Sequence, residues 1–291
     1  MTILSPFSLK ILSGFEPQFQ SLVSTWINLM IAVVLVCFIV SEITRNYSQV
    51  DKLWSLMPLA YAWITVMAYP SPRLFLMASL VTVWGIRLSF NFYRKGGYSI
   101  IPWQGEEDYR WKILRDTSAL RGRFRFGLFN LLFISFYQNL LILLFSTPLL
   151  MAALYQGVPM GVTDLVASTL MLLFIITETI ADNQQYRFQT VKRSPAENEK
   201  PYIESLSKGF LTEGLWGYVR HPNFASEQAI WISFYLFSVA ASGRWINFTL
   251  LGPVLLVILF IGSSIMTENI SSSKYPDYTI YKKEVPKFIP R

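Results

Sequence analysis

The chain has 291 residues, of which 53% are hydrophobic and 16% aromatic, with 25 Lys and Arg against 18 Asp and Glu for a formal net charge of +7. Only 15% of residues are charged and mean hydropathy is +0.38, where a soluble domain carries roughly 25% charged residues; an ordinary soluble fold is excluded. One cysteine and one histidine exclude an intramolecular disulfide and argue against any structural metal site.

The charges are clumped. None lies between Glu16 and Glu42, Lys52 and Arg73, Arg125 and Asp164, or Arg244 and Glu268. Each gap holds a helix of about 20 residues, the length a bilayer core requires, and the unbroken apolar runs lack the alternation of membrane β-barrel strands. The sequence predicts an all-α, polytopic transmembrane helical bundle. Its first 15 residues are mixed and do not resemble a signal peptide. Residues 1–21 read as an N-terminal segment and 22–291 as one membrane-embedded domain. In chain order the predicted spans are 22–41, which contains Cys37, then 53–69, 73–93, 126–146, 162–181, 224–242 and 246–266. The turns "AYPSPR" (68–73) and "ASGRW" (241–245) are short and make helical hairpins.

Lys and Arg fix the expected orientation. Segment 94–125 carries eight, 182–221 six and 267–291 five, whereas the opposite side holds only Lys10, Arg73 and Arg244. Basic loops face the cytoplasm, so seven spans place the N-terminus outside and the C-terminus in the cytoplasm. The basic excess is what topology demands, and nucleic acid is not an expected partner. The sequons at Asn46, Asn247 and Asn269 are weak, two by side and one by its place at a span edge.

Charged side chains inside a bilayer mark function by default. Here they are Asp51, Arg87, Glu178, Asp182, Glu227 and Glu268, all in the cytoplasmic half of the predicted topology. Glu178 and Asp182 are four residues apart and share a helix face, as do Asn223 with Glu227 and Arg87 with Asn91. A polar cluster at one depth suits a pocket open to the cytoplasm better than a conduction path. The competing reading is that such groups pair only to hold helices together.

The segment "GLWGYVRHPNFASEQAIW" (214–231) contains the one histidine, His221. Pro222 suits the first turn of a helix and pushes His221 out of it. A helix N-terminus with Arg220 beside it favours phosphate. Arg187 is a second candidate for an anionic ligand. Asn223 and Glu227 point from the same helix into the predicted pocket. No GxGxxG follows a strand, so a Rossmann site is absent.

These residues resemble a known group. "GLWGYVRHPNFASE", two apolar spans and "YPDYTIYKKEVPKFIP" are similar to the C-terminal domain of the steroid 5-alpha-reductase superfamily. That superfamily also holds the sterol C14-reductases and isoprenylcysteine carboxyl methyltransferases. "DKLWSLMP", "WGIRLSFNFYRKGG" and "GEEDYRW" resemble an uncharacterised branch of it. The likeness runs from about Asp51 to the end, with the reductase-like part over about 126–291. It implies a membrane-embedded, NADPH-dependent reductase of a carbon–carbon double bond in a lipophilic substrate that is steroid-, sterol- or fatty-acyl-like. The alternatives are an S-adenosylmethionine-dependent methyltransferase of a lipophilic acceptor and a non-catalytic lipid-binding membrane protein. By resemblance Asn223, Glu227 and Asp182 would hold the cofactor, and Arg87 matches an Arg of the third span. Arg187, Arg220, His221 and Glu268 complete the expected cofactor-binding set. Asp51, Glu178 and Arg87 are the expected catalytic residues, with Asp51 or Glu178 as proton donor. The reductases' early Glu and third-span Tyr stand here as "LWSLMP" and Trp84, and Glu268 stands near their histidine. The expected location is the endoplasmic reticulum of a eukaryote or the inner or plasma membrane of a bacterium, among membrane lipids.

Overall fold

A computed structural model describes residues 14–193 and 202–290. Lys10 and most of the predicted N-terminal segment lie outside the described residues, as do 194–201 of the basic segment 182–221 and Arg291 of the tail. Among the described residues every regular element is helical. Five segments are long and apolar enough to cross a membrane: Pro17–Thr44, Pro72–Arg94, Arg123–Leu154, Val162–Arg193 and Phe248–Lys274. The chain is therefore an all-helical membrane protein by length and composition.

Two predicted spans differ from that set. The second resolves into α2 (Gln49–Leu53) and α3 (Leu56–Ala68). At 1.5 Å per residue, the 13 residues of α3 reach roughly 20 Å, short of a bilayer core of about 30 Å. The sixth forms one helix over Pro222–Ser242 and is long enough. Ser226, Glu227, Gln228, Ser233 and Ser238 lower its apolar character.

The described residues form two compact units, one running to Leu165 with Tyr235–Gly252, the other Val166–Phe234 with the chain from Pro253 onward. In the first unit, α1 (Pro17–Thr44) starts on a proline and stops where Arg45 turns left-handed at φ 60°. The hairpin of α3 and α4 (Pro72–Arg94) turns on Ser71, whose side chain accepts from Leu74 N. Gly85 permits their close crossing, because a Cβ there would meet Leu59 Cδ1 and stand 3.0 Å from the Ser55 carbonyl. The core packs Trp26, Tyr61, Met77, Trp84 and Phe145, all fully buried, with the Trp26 and Tyr61 rings 4.5 Å apart. Helix α5 (Tyr109–Asp116) follows a loop described below. Next come α6 (Arg123–Phe129), a π-helical stretch (Asn130–Tyr137), α7 (Gln138–Ser146) and α8 (Pro148–Leu154). The π register puts residues five apart in contact: Ser135 Oγ donates to Asn130 Oδ1 at 3.2 Å, and Asn130 Nδ2 donates to Glu42 Oε1 at 3.0 Å.

A closed loop follows α4. Glu106 N donates to Gly96 O at 2.9 Å, and Gly96 and Gly105 have φ of 82° and 119°. A Cβ on Gly105 would strike the Gly97 carbonyl. Gly105→Ala is expected to strain the closure by about 1–3 kcal/mol. Trypsin should then cut faster after Lys95 or Arg110, and an unchanged rate would show that closure does not depend on this glycine.

The second unit is built on α9 (Val162–Arg193), α10 (Ile203–Lys208), α11 (Leu215–Tyr218), α12 (Pro222–Ser242), α13 (Leu251–Lys274) and α14 (Tyr278–Glu284). The first and last two long helices of this set begin or end in the first unit. Two aromatic clusters hold it: Phe188, Val191, Tyr202 and Leu211, then Phe210, Tyr278 and Tyr281. Trp216 Nε1 donates to Ala181 O at 3.1 Å, and Gln184 Oε1 accepts from Leu215 N at 3.0 Å. Together these bonds tie the segment before α12 onto α9.

Candidate functional site

In the second unit, α9 and α12 bring two predicted pairs together. Asn223 Nδ2 reaches Asp182 Oδ1 at 3.5 Å, so the two helix faces meet at this level. Glu178 lies one turn back on α9 and Glu227 one turn on along α12. Glu178, Asp182 and Glu227 are each 4% exposed. Glu227 Oε1 accepts from Trp231 Nε1 at 3.1 Å, a partner from the next turn that orients the carboxylate. Among the described residues, the Asn223 Oδ1 atom is buried without a hydrogen-bond partner. Buried carbonyl oxygens are normally satisfied, and no described residue gives this one a donor.

Arg220, His221 and Glu268 form a second group. Helix α12 begins at Pro222, and His221 lies just before it, as the proline dictates. Arg220 Nε donates to Glu268 Oε1 at 2.8 Å, and His221 Nε2 lies 3.1 Å from the same oxygen. Lys282 and Lys287 stand 3.6 and 3.8 Å from Glu268 Oε2. Arg220 Nη1 donates to the carbonyls of Lys282 and Val285. The backbone completes the seal: Arg220 N donates to Pro286 O at 2.8 Å and His221 N to Lys287 O at 3.2 Å. The His221 ring stacks on Phe224 at 5.3 Å. This group therefore fastens the C-terminal tail across the start of α12, and the Nε and Nη1 donors of Arg220 are already engaged. Arg187 takes no part in it. It is exposed on α9, with its guanidinium 5.9 Å from the Tyr202 ring.

Asp51 and Arg87 belong to the first unit. Asp51 Oδ2 accepts from Trp111 Nε1 at 3.0 Å. Burial pushes its carboxyl above the usual range, and the charge of Asp108 adds to that. Asp108 is half-buried, yet Arg110 beside it, donating through Nε at 2.9 Å and Nη2 at 2.7 Å, holds it below the usual range. Arg87 sits half-buried on α4, four residues before Asn91, whose Oδ1 accepts from Arg94 Nε at 2.9 Å.

Sequence reasoning missed the partners of these residues. Pro286 and Lys287 act through backbone atoms that carry no side-chain signature. Trp111 and Trp231 had a weak signal, since a buried indole N–H seeks an acceptor.

Residues 37–285 match the family described as "Protein of unknown function (DUF1295)". The chain belongs to that family. An uncharacterised protein of Schizosaccharomyces pombe is 37% identical to it over 265 residues, covering 87% of this chain and 75% of the relative. No solved structure matches. All the predicted site residues of this DUF1295 protein, from Asp51 to Glu268, lie within the matched stretch.

Proposed function

We propose that this DUF1295 protein is an NADPH-dependent reductase, embedded in the membrane, that acts on a carbon–carbon double bond of a lipophilic substrate. The observation that carries the reading is the Asp182–Asn223 contact with its buried, unsatisfied Asn223 Oδ1. A nicotinamide carboxamide has an N–H to give that oxygen, so the residues fit this end of the cofactor. Bound NADPH supplies a hydride. Around it, Asn223 would accept from the carboxamide, and Asp182 and Glu227 would accept from ribose hydroxyls. Glu178, one turn from Asp182 on the same face, would deliver the proton. Arg187, whose guanidinium is exposed, is better placed for phosphate than Arg220, which is occupied by Glu268 and the tail. The seven-span topology with a cytoplasmic C-terminus and the superfamily placement belong to this reading.

The same acceptors would also take the amino and ribose groups of S-adenosylmethionine, which makes the methyltransferase the second reading. Titration of the purified protein in nanodiscs with each nucleotide separates the two. NADPH is expected to raise the thermal midpoint and S-adenosylmethionine to leave it unchanged. Asn223→Ala and Asp182→Asn should each weaken NADPH binding about tenfold, the effect of removing one partner of a buried polar contact. A midpoint that neither nucleotide moves would sink both enzyme readings and favour a non-catalytic lipid-binding protein.

A further inference from the structure

The loop between α4 and α5 exposes apolar side chains while its backbone is locked. Lys52 Nζ donates to Gln104 O at 2.7 Å and Pro102 O at 3.2 Å. Gln49 Nε2 donates to Trp103 O at 3.1 Å and Asn46 Nδ2 to Gly105 O at 2.9 Å. Tyr98 OH closes the other side on Lys52 O at 2.7 Å. Lys52 and Gln49 are 4% and 7% exposed, so these clamps are interior. They prevent the tip from turning inward. Ile100 is fully exposed at 101%, Trp103 is 51% exposed and Ile101 40%. A flexible loop would tuck such residues away, whereas a clamped one presents them to something outside.

Three observations identify what lies outside. The loop starts directly after Arg94, the end of a helix long and apolar enough to cross a membrane. The last turns of that helix point Phe90 and Tyr93 outward at 60% and 64% exposure, so the apolar surface runs from the helix onto the loop. Finally, the exposed charges that flank the loop in sequence, over 94–125, are mainly cationic: Lys95, Lys112, Arg121, Arg123 and Arg125 against Glu106 and Asp116. Apolar tips among Lys and Arg match an anionic lipid interface, and indoles settle at headgroup depth. Tyr93, Tyr98, Ile100 and Glu106 line one open hollow, so the end of α4 and the loop share one outward face.

We infer that residues 99–103 form a built-in membrane anchor, a rigid loop that seats Ile100, Ile101 and Trp103 in the interface of the anionic leaflet next to α4. The partner is the phospholipid surface itself. Cys37, the one native cysteine, is 1% exposed, so Ile100→Cys in the full chain gives one accessible thiol for a nitroxide. Ser118→Cys, at an exposed loop position, provides the aqueous control. In nanodiscs of phosphatidylcholine with phosphatidylglycerol, oxygen should relax the Ile100 label several-fold more than a water-soluble nickel chelate does, with the order reversed at position 118. Immersion should deepen as phosphatidylglycerol replaces phosphatidylcholine. An Ile100 label as open to the nickel chelate as the Ser118 label would overturn the inference and leave a soluble protein partner as the occupant. Immersion indifferent to lipid charge would overturn its anionic part. Lys52→Met should loosen the clamp and broaden the depth distribution at position 100. Should that variant fail to fold, the depth measured on the Ile100→Cys protein alone decides.

Discussion

Replacing Arg73 by Met is expected to cost the first unit about 3–5 kcal/mol, the range for removing one partner of a buried ion pair. Arg73 and Asp164 are 3% and 1% exposed. They meet in a two-pronged contact, Nε to Oδ1 at 2.7 Å and Nη2 to Oδ2 at 3.0 Å. The remaining donors hold the carbonyls of Val158 and Pro159, each at 3.0 Å. Asp164 also accepts from Gly161 N at 2.9 Å. One guanidinium therefore fastens the first turn of α4 to the whole loop before α9. Without it, the Asp164 carboxylate loses two of its donors and its countercharge, and two carbonyls lose the donors that Arg73 gave them. The double variant Arg73→Met, Asp164→Leu should recover a good part of the loss, because the unbalanced charge goes with its partner. Unfolding in SDS measures both. A single variant within about 1 kcal/mol of wild type would show that water reaches the pair and screens it.

That pair also shows where the sequence stops being legible. The absence of charge over four long stretches exposes the helices, because a lipid interior selects composition directly. Pro222 fixes the start of α12 for a similarly local reason. Arg73 and Asp164, by contrast, are 91 residues apart, and each alone looks like a boundary charge. The run 53–69 reads as one span because every residue in it is apolar or small, yet the helix breaks at Trp54 and Ser55. Trp54 and Ser55 keep helical dihedrals, but Pro58 has no N–H to give the Trp54 carbonyl, and hydropathy does not register a missing donor. At the candidate site the i, i+4 pairs Glu178/Asp182 and Asn223/Glu227 were readable, and the structure places Asp182 against Asn223. Their neighbour Arg220 read as a phosphate ligand because its partner Glu268 is 48 residues away. The Pro286 and Lys287 carbonyls, being backbone, leave no trace in residue identity. The loop clamps fail to show for the same reason: Lys52 and Gln49 donate to carbonyls fifty or more residues on.

Glu268→Ala tests what that second group is for. Glu268 is 3% exposed and receives Arg220 and His221 on one oxygen, with Lys282 and Lys287 near the other. The two lysines are 34% and 27% exposed, so water screens them and their share is small. Arg220 and His221, at 9% and 8%, decide the outcome. Losing the carboxylate leaves a buried guanidinium with only carbonyls for company, a cost of about 3–5 kcal/mol. The tail should then lift. Hydrogen exchange should quicken at the Arg220 and His221 amides, which lose Pro286 O and Lys287 O, and trypsin should cut after Lys282 and Lys283. Glu268→Gln keeps an acceptor for Arg220 and should release the tail far less. If Glu268 instead served chiefly to touch a cofactor, both variants would weaken NADPH binding alike and leave the amides protected. A lifted tail with unchanged exchange at Asn223 would mark Glu268 as the fastening of the tail, with the Asp182–Asn223 contact standing independently of it.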